Sequence, residues 1–145
     1  VFASKALIDG KPLAELNLSA ERWAEIKHAT VQGGSNIIKL RGRSSFQSPA
    51  YNAVKMIEAA MGGDKFTWPA GCYVNCDACG FKNVMMAMPT VIDAEGVHFT
   101  KPEGTPEEMA ELQASYAHLC KMRDEIVELG IVPPVDQWKE MNPNL

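Results

Sequence analysis

Residues 37–60 read "IIKLRGRSSFQSPAYNAVKMIEAA". Two helical patterns meet inside this stretch, and what joins them decides the fold. Upstream, "SAERWAEIKHATVQGGSNIIKLR" places Trp23, Ile26, Thr30, Ile37 and Leu40 near a 3.6-residue period, which predicts a helix over 19–41. Ser19 suits its N-cap, and Glu21 in the first turn suits the helix dipole. Gly33-Gly34 predicts a kink or a close backbone contact, and Gly42 an end or a bend. Downstream, residues 50–61 read as helix, with Ala50, Val54, Ile57 and Met61 on one stripe and Gly62-Gly63 as the stop. Pro49 fits only the first turn of that second helix, because its ring removes an N–H the interior needs. Residues 44–48 are therefore expected to be the joint.

Beyond residue 66 the pattern changes to strand. "CYVNC" alternates, "NVMMAMPTVID" is a longer apolar run, and "AEG" is a hairpin turn into "VHFT". Pro89 inside the second run predicts a bulge or an edge position. Thr105-Pro106-Glu107-Glu108 then sets a helix start: a threonine cap, proline at the first position and glutamate at the third, which completes a capping box. The helix is expected to run to Leu129, with Met109, Leu112, Tyr116, Leu119, Arg123 and Ile126 along one stripe and Gly130 as its C-cap. Pro133-Pro134 prevent continuation, and the tail "VDQWKEMNPNL" is expected to pack by Trp138. Helices and strands are segregated, which predicts an α+β fold in a single domain over 1–145.

A net charge of −4 supplies no basic surface for nucleic acid or acidic lipid. No apolar run approaches the roughly 18 residues of a membrane span. Eight methionines and four cysteines in an acidic chain point to a reducing, cytoplasmic setting.

Three of the cysteines lie in "GCYVNCDACGF", residues 71–81. C-x3-C-x2-C is cluster-like spacing, and the C-x2-C within it also suits zinc or a redox dithiol. On a strand, however, Cys72 and Cys76 stand about 13 Å apart, too far to share a metal. Cys76 and Cys79 converge across a turn but lack two further ligands. The expectation is free thiols and no metal site. His28, His98 and His118 are expected to be structural.

The joint is chemically richer. Arg41 and Arg43 flank Gly42, and three serines follow before Pro49. A helix start that shows hydroxyls and N–H groups suits a polar or anionic ligand, whereas the plainer reading makes Ser44 or Ser45 a cap.

With these motifs, the sequence resembles the C-terminal domain of the lactate/malate dehydrogenases, most closely the bacterial malate dehydrogenases. The helix joint is the most specific part. "NVMMAMPTVIDAEGV" is similar to the family's apolar run, proline and glycine turn, and "EEMAELQASYAHLCKMRDEI" to its closing helix. The resemblance implies antiparallel strands packed against long helices, and an N-terminal NAD-binding Rossmann domain outside this chain. It implies hydride transfer between malate or oxaloacetate and NAD, and homo-oligomers formed through helices. By the same resemblance Ser44 lines the substrate pocket, and Ser48 and Pro49 contact the nicotinamide. The family's catalytic histidine lies in an H-G-x-x-M motif, and its dinucleotide loop in G-x-G-x-x-G. Neither occurs in this sequence, so the chain is expected to be inactive alone. The alternatives are a free-standing metal- or partner-binding module and a small C-x2-C redox protein.

Overall fold

The computed structural model describes residues 2–143. The domain boundaries expected at Val1 and Leu145, and the last two residues of the tail, lie outside them. A short hairpin opens the chain: β1 (Leu7–Ile8) pairs antiparallel with β2 (Lys11–Pro12). Its turn is Asp9-Gly10, both at positive φ, the pair that two-residue hairpin turns favour. The signal is present in the sequence, but strands this short escaped the reading.

Helix α1 (Ala20–Arg41) starts as expected, with the Ser19 hydroxyl accepting from the Arg22 N–H. It runs through Gly33-Gly34 without interruption, and nothing lies within 4 Å of where their Cβ atoms would be. The close contact expected there is not made within the described residues. Gly42 ends the helix in the left-handed conformation at φ 70, donating its N–H to Ile38 O at 2.8 Å. Helix α2 (Gln47–Ala60) begins three residues earlier than the sequence reading placed it. Pro49 is its third residue, in the first turn as expected, where a missing N–H is tolerated. The joint is thus residues 42–46, two positions earlier than expected and of the same length.

The core is built on one hairpin. Strand β3 (Ala70–Cys76) pairs antiparallel with β4 (Phe81–Met88), and Cys72, Val74, Phe81, Val84, Met86 and Met88 form its buried face. The alternation of buried and exposed positions in β3 is the period of two expected of a sheet with one face covered. Pro89 ends β4. The chain then changes partner, and β5 (Thr90–Asp93) pairs with β6 (Gly96–Phe99). Pro89 is therefore a junction between two hairpins. It has no N–H for a ladder, but its carbonyl accepts from Thr100 at 3.0 Å. Ala59 at the end of α2 packs with Phe66, Ala70 and Ile92 in a second small core.

Helix α3 (Pro106–Glu128) covers the main core with Leu112, Tyr116, Leu119 and Cys120. Its stripe ends on half-buried Val127, with Ile126 turned outward, a one-residue correction to the expected face. The last helix, α4 (Trp138–Met141), brings Trp138 beside Tyr73 at a ring separation of 6.3 Å, and the indole N–H donates to Pro133 O.

A bulge in β4 explains how α3 is held. Register slips between Val74 and Cys76, and Asn83 sits at φ 53. A bulge takes backbone groups out of the ladder, and those groups need other partners. Here α3 supplies them. The Lys82 N–H donates to the Tyr116 hydroxyl at 3.1 Å, and the Arg123 guanidinium donates to Lys82 O at 3.3 Å and Asn83 O at 3.1 Å. Tyr116 and Arg123 are seven residues apart, two helical turns, so both face the bulge. Tyr73 fixes the Asn83 side chain by donating to its Oδ1 at 2.6 Å.

The capping box at Thr105 forms as the sequence predicts, and Glu108 does more than cap. Its carboxylate also accepts from the Ser4 N–H at 2.9 Å and the Ser4 hydroxyl at 2.5 Å, tying the N-terminal segment to α3. These bonds to the charged form hold its pKa at about 2, against an ordinary value of 4.5. A depressed carboxylate stabilises the fold above its unfolded pKa and loses that contribution as pH falls through the folded one. The melting temperature is therefore expected to decline between about pH 4.5 and pH 2. Glu108→Gln should flatten this part of the profile. An unchanged acid limb in that variant would show that the Ser4 tie is not formed.

Candidate functional site: the helix joint

At the joint, α1 presents its C-terminus and α2 its N-terminus within five residues. The N-cap of α2 is Phe46, and no side chain caps the helix. Neither Ser44 nor Ser45 performs the capping role that the plainer sequence reading gave them. The leading N–H groups of α2, Gln47 and Ser48, therefore have no side-chain oxygen on them, and the first turn contains no acidic residue. The Arg41 and Arg43 guanidiniums lie over the Phe46 ring at 5.8 and 5.0 Å, and Arg41 also donates to Gln47 Oε1 at 2.9 Å. Neither arginine pairs with a carboxylate among the described residues. Helix dipole and guanidiniums thus add to a positive potential with no internal counter-charge.

Of the three residues singled out from the sequence, Ser44 lies in the joint and Ser48 and Pro49 in the first turn of α2, and all are exposed. The structure brings them together on an open surface rather than in a closed pocket. Two hollows lie elsewhere, one of about 720 Å³ between the α2 face from Tyr51 to Glu58 and residues 63–68, another of about 680 Å³ between Phe2, β4 and α3. The sequence reading missed the stacking of both arginines on Phe46. The R-x-R-x-x-F spacing is visible, but nothing local shows that the rings and guanidiniums share a face.

The openness extends beyond the joint. Helix α1 buries none of its residues, and α2 only Ala59. Val31, Leu40, Tyr51, Val54, Ile57 and Met61 are all exposed. The chain shows 10681 Å² of accessible surface, whereas a compact monomer of 15.9 kDa shows about 7,400 Å².

Outside the joint, the cysteines are free thiols, with Cys72 buried and Cys76, Cys79 and Cys120 half-buried. His28 is on α1 and His118 on α3. His98 lies 3.6 Å from Asp93 Oδ1, so one histidine–aspartate pair does exist. Asp93 is engaged structurally: it accepts from the Glu95 N–H at 3.0 Å, closing the hairpin turn, and from Lys65 Nζ at 2.9 Å.

Fold and joint define a class: an α+β domain with two largely exposed helices that meet at an uncapped helix start. Residues 2–129 match the lactate/malate dehydrogenase alpha/beta C-terminal domain, and the chain belongs to that family. It is 32% identical over 132 residues to a malate dehydrogenase from Dehalococcoides mccartyi, covering 85% of this chain and 40% of that protein. Among solved structures, malate dehydrogenase from Salinibacter ruber superposes with a TM-score of 0.77 at 26% identity, over 88% of this chain and 41% of that one. Malate dehydrogenase from Plasmodium falciparum in complex with NADH superposes at 0.74 and 25% identity, covering 88% of this chain and 43% of that one. The chain thus spans about two fifths of these relatives. The match gives no support to the free-standing metal, partner-binding or C-x2-C redox readings.

Proposed function

We propose that the chain is the substrate-facing C-terminal domain of an NAD-dependent malate dehydrogenase, interconverting malate and oxaloacetate by hydride transfer. The observation that carries this is the open helix joint, uncapped, cationic and exposed, on a chain of this family. Its α1–α2 face packs against an N-terminal NAD-binding domain, with further apolar surface left for a second copy of the protein. Malate and oxaloacetate are dianionic, and Arg41, Arg43 and the start of α2 make the joint attractive to them.

NAD supplies the hydride acceptor when bound, and the joint fits its nicotinamide end: a hydroxyl at Ser48 and the ring face of Pro49 offer one polar and one apolar contact. Ser44 orients the substrate through one hydrogen bond. Covering the joint with the second domain excludes water, and that strengthens each of these contacts. By the family resemblance, the proton-accepting histidine in its H-G-x-x-M motif, with the aspartate that holds it, is upstream of this segment; His28, His98 and His118 stand in no such motif.

The isolated chain is expected to fold but to show no oxaloacetate-dependent NADH oxidation, while the longer polypeptide carrying it behind an NAD-binding domain turns over. Turnover by the purified chain alone, followed by nicotinamide absorbance, would overturn this division of labour.

A further inference from the structure

The turn joining β3 and β4 holds a feature that the functional reading does not use. Cys76 is the last residue of β3 and Cys79 lies three positions on, inside a turn closed by the Gly80 N–H on Asp77 O at 3.1 Å. The Cys79 backbone N–H donates to Cys76 Sγ at 3.2 Å. The Cys79 thiol hydrogen-bonds the same sulfur; burial first, and then this bond, hold it above its usual range. The two sulfurs thus lie side by side within one turn. Both are half-buried and so open to a small reagent. The other two cysteines are placed differently: Cys72 is in the core against Thr90 Oγ1 at 3.2 Å, and Cys120 is on α3.

We propose that Cys76 and Cys79 form a site of reversible thiol–disulfide exchange with low-molecular-weight disulfides. The Cys76 thiolate attacks one sulfur of the small disulfide, forming a mixed disulfide and expelling one thiolate. Cys79 then gives up its proton and attacks the Cys76 sulfur, expelling the second thiolate. Two protein thiols are oxidised to one disulfide, and the small disulfide is reduced to two thiols. The hairpin need not open, because Cys76 pairs with Phe81 across the turn and Cys79 lies within it. The site is independent of the joint and of the proposed hydride transfer.

The test is to treat the whole folded chain with glutathione disulfide, alkylate the remaining thiols and map the peptides by mass spectrometry. The expected product is two hydrogens lighter, linked between Cys76 and Cys79, with Cys72 and Cys120 alkylated and the link reversed by dithiothreitol. Cys79→Ser should accumulate a glutathione adduct on Cys76 that does not resolve. Cys76→Ser should slow addition at residue 79 by about tenfold or more, since the protonated thiol is the poorer nucleophile. A stable glutathione adduct on the native chain without a link, a link involving Cys120, or no change in mass would each overturn the proposal. The native chain decides it even if a variant fails to fold.

Discussion

Arg123→Met is expected to lower the melting temperature by about 6–12 °C. The guanidinium is only 19% exposed. It provides the donors for Lys82 O and Asn83 O, which the bulge in β4 takes out of the ladder. A hydrogen bond to a charged group contributes about 1.5–3 kcal/mol, and Met leaves both carbonyls without that donor while filling similar volume. Tyr116→Phe removes one neutral bond, to the Lys82 N–H, and should cost about 0.5–1.5 kcal/mol. Asp124 also touches Arg123, at 2.8 Å, but is 58% exposed, so Asp124→Asn should change little. Thermal melts of the three variants give the order Arg123→Met, Tyr116→Phe, Asp124→Asn. If Asp124→Asn melts as low as Arg123→Met, the ion pair within α3 rather than the contacts to Lys82 O and Asn83 O accounts for the loss.

Ser44→Ala in the two-domain protein is expected to lower kcat/KM by about three- to thirtyfold and to shift the melting temperature by no more than about 2 °C. One hydroxyl oriented on the substrate is worth about 0.5–1.5 kcal/mol, more if its partner is left unpaired in a closed site. The structure removes the competing account, because Phe46 is the N-cap and no serine caps α2. A lost cap would instead cost about 0.5–2 kcal/mol of stability and leave turnover alone. Normal turnover with a lowered melting temperature would return Ser44 to a structural role and remove it from the site.

What the sequence shows and what it hides follow a physical line. Helix ends are local: Ser19, Gly42 and the Thr105–Glu108 box each act within four residues, so their chemistry is readable along the chain. The bulge at Asn83 is not local. Its signal is a tyrosine and an arginine on a helix more than thirty residues downstream, and nothing near Asn83 announces them. Ile37 and Leu40 keep a helical period, which marks an apolar face, but nothing among the described residues covers it, and both remain exposed. The joint was legible in its residue types and not in its shape. Its serines and arginines stand out in the sequence, whereas the Phe46 platform beneath the arginines depends on how α1 turns into α2.

The central claim is that this joint is the face that meets substrate and nicotinamide. Hydrogen exchange on the two-domain protein, with and without NAD and a non-reducible 2-oxo acid analogue such as oxalate, tests it most directly. The leading N–H groups of α2 have no side-chain cap, so they should exchange fast in the free protein. With both ligands bound, protection should rise in the peptides covering residues 42–50 and stay unchanged in the β5–β6 hairpin and in α3. Unchanged exchange over 42–50 while another segment of this domain becomes protected would place the ligands elsewhere and contradict the account.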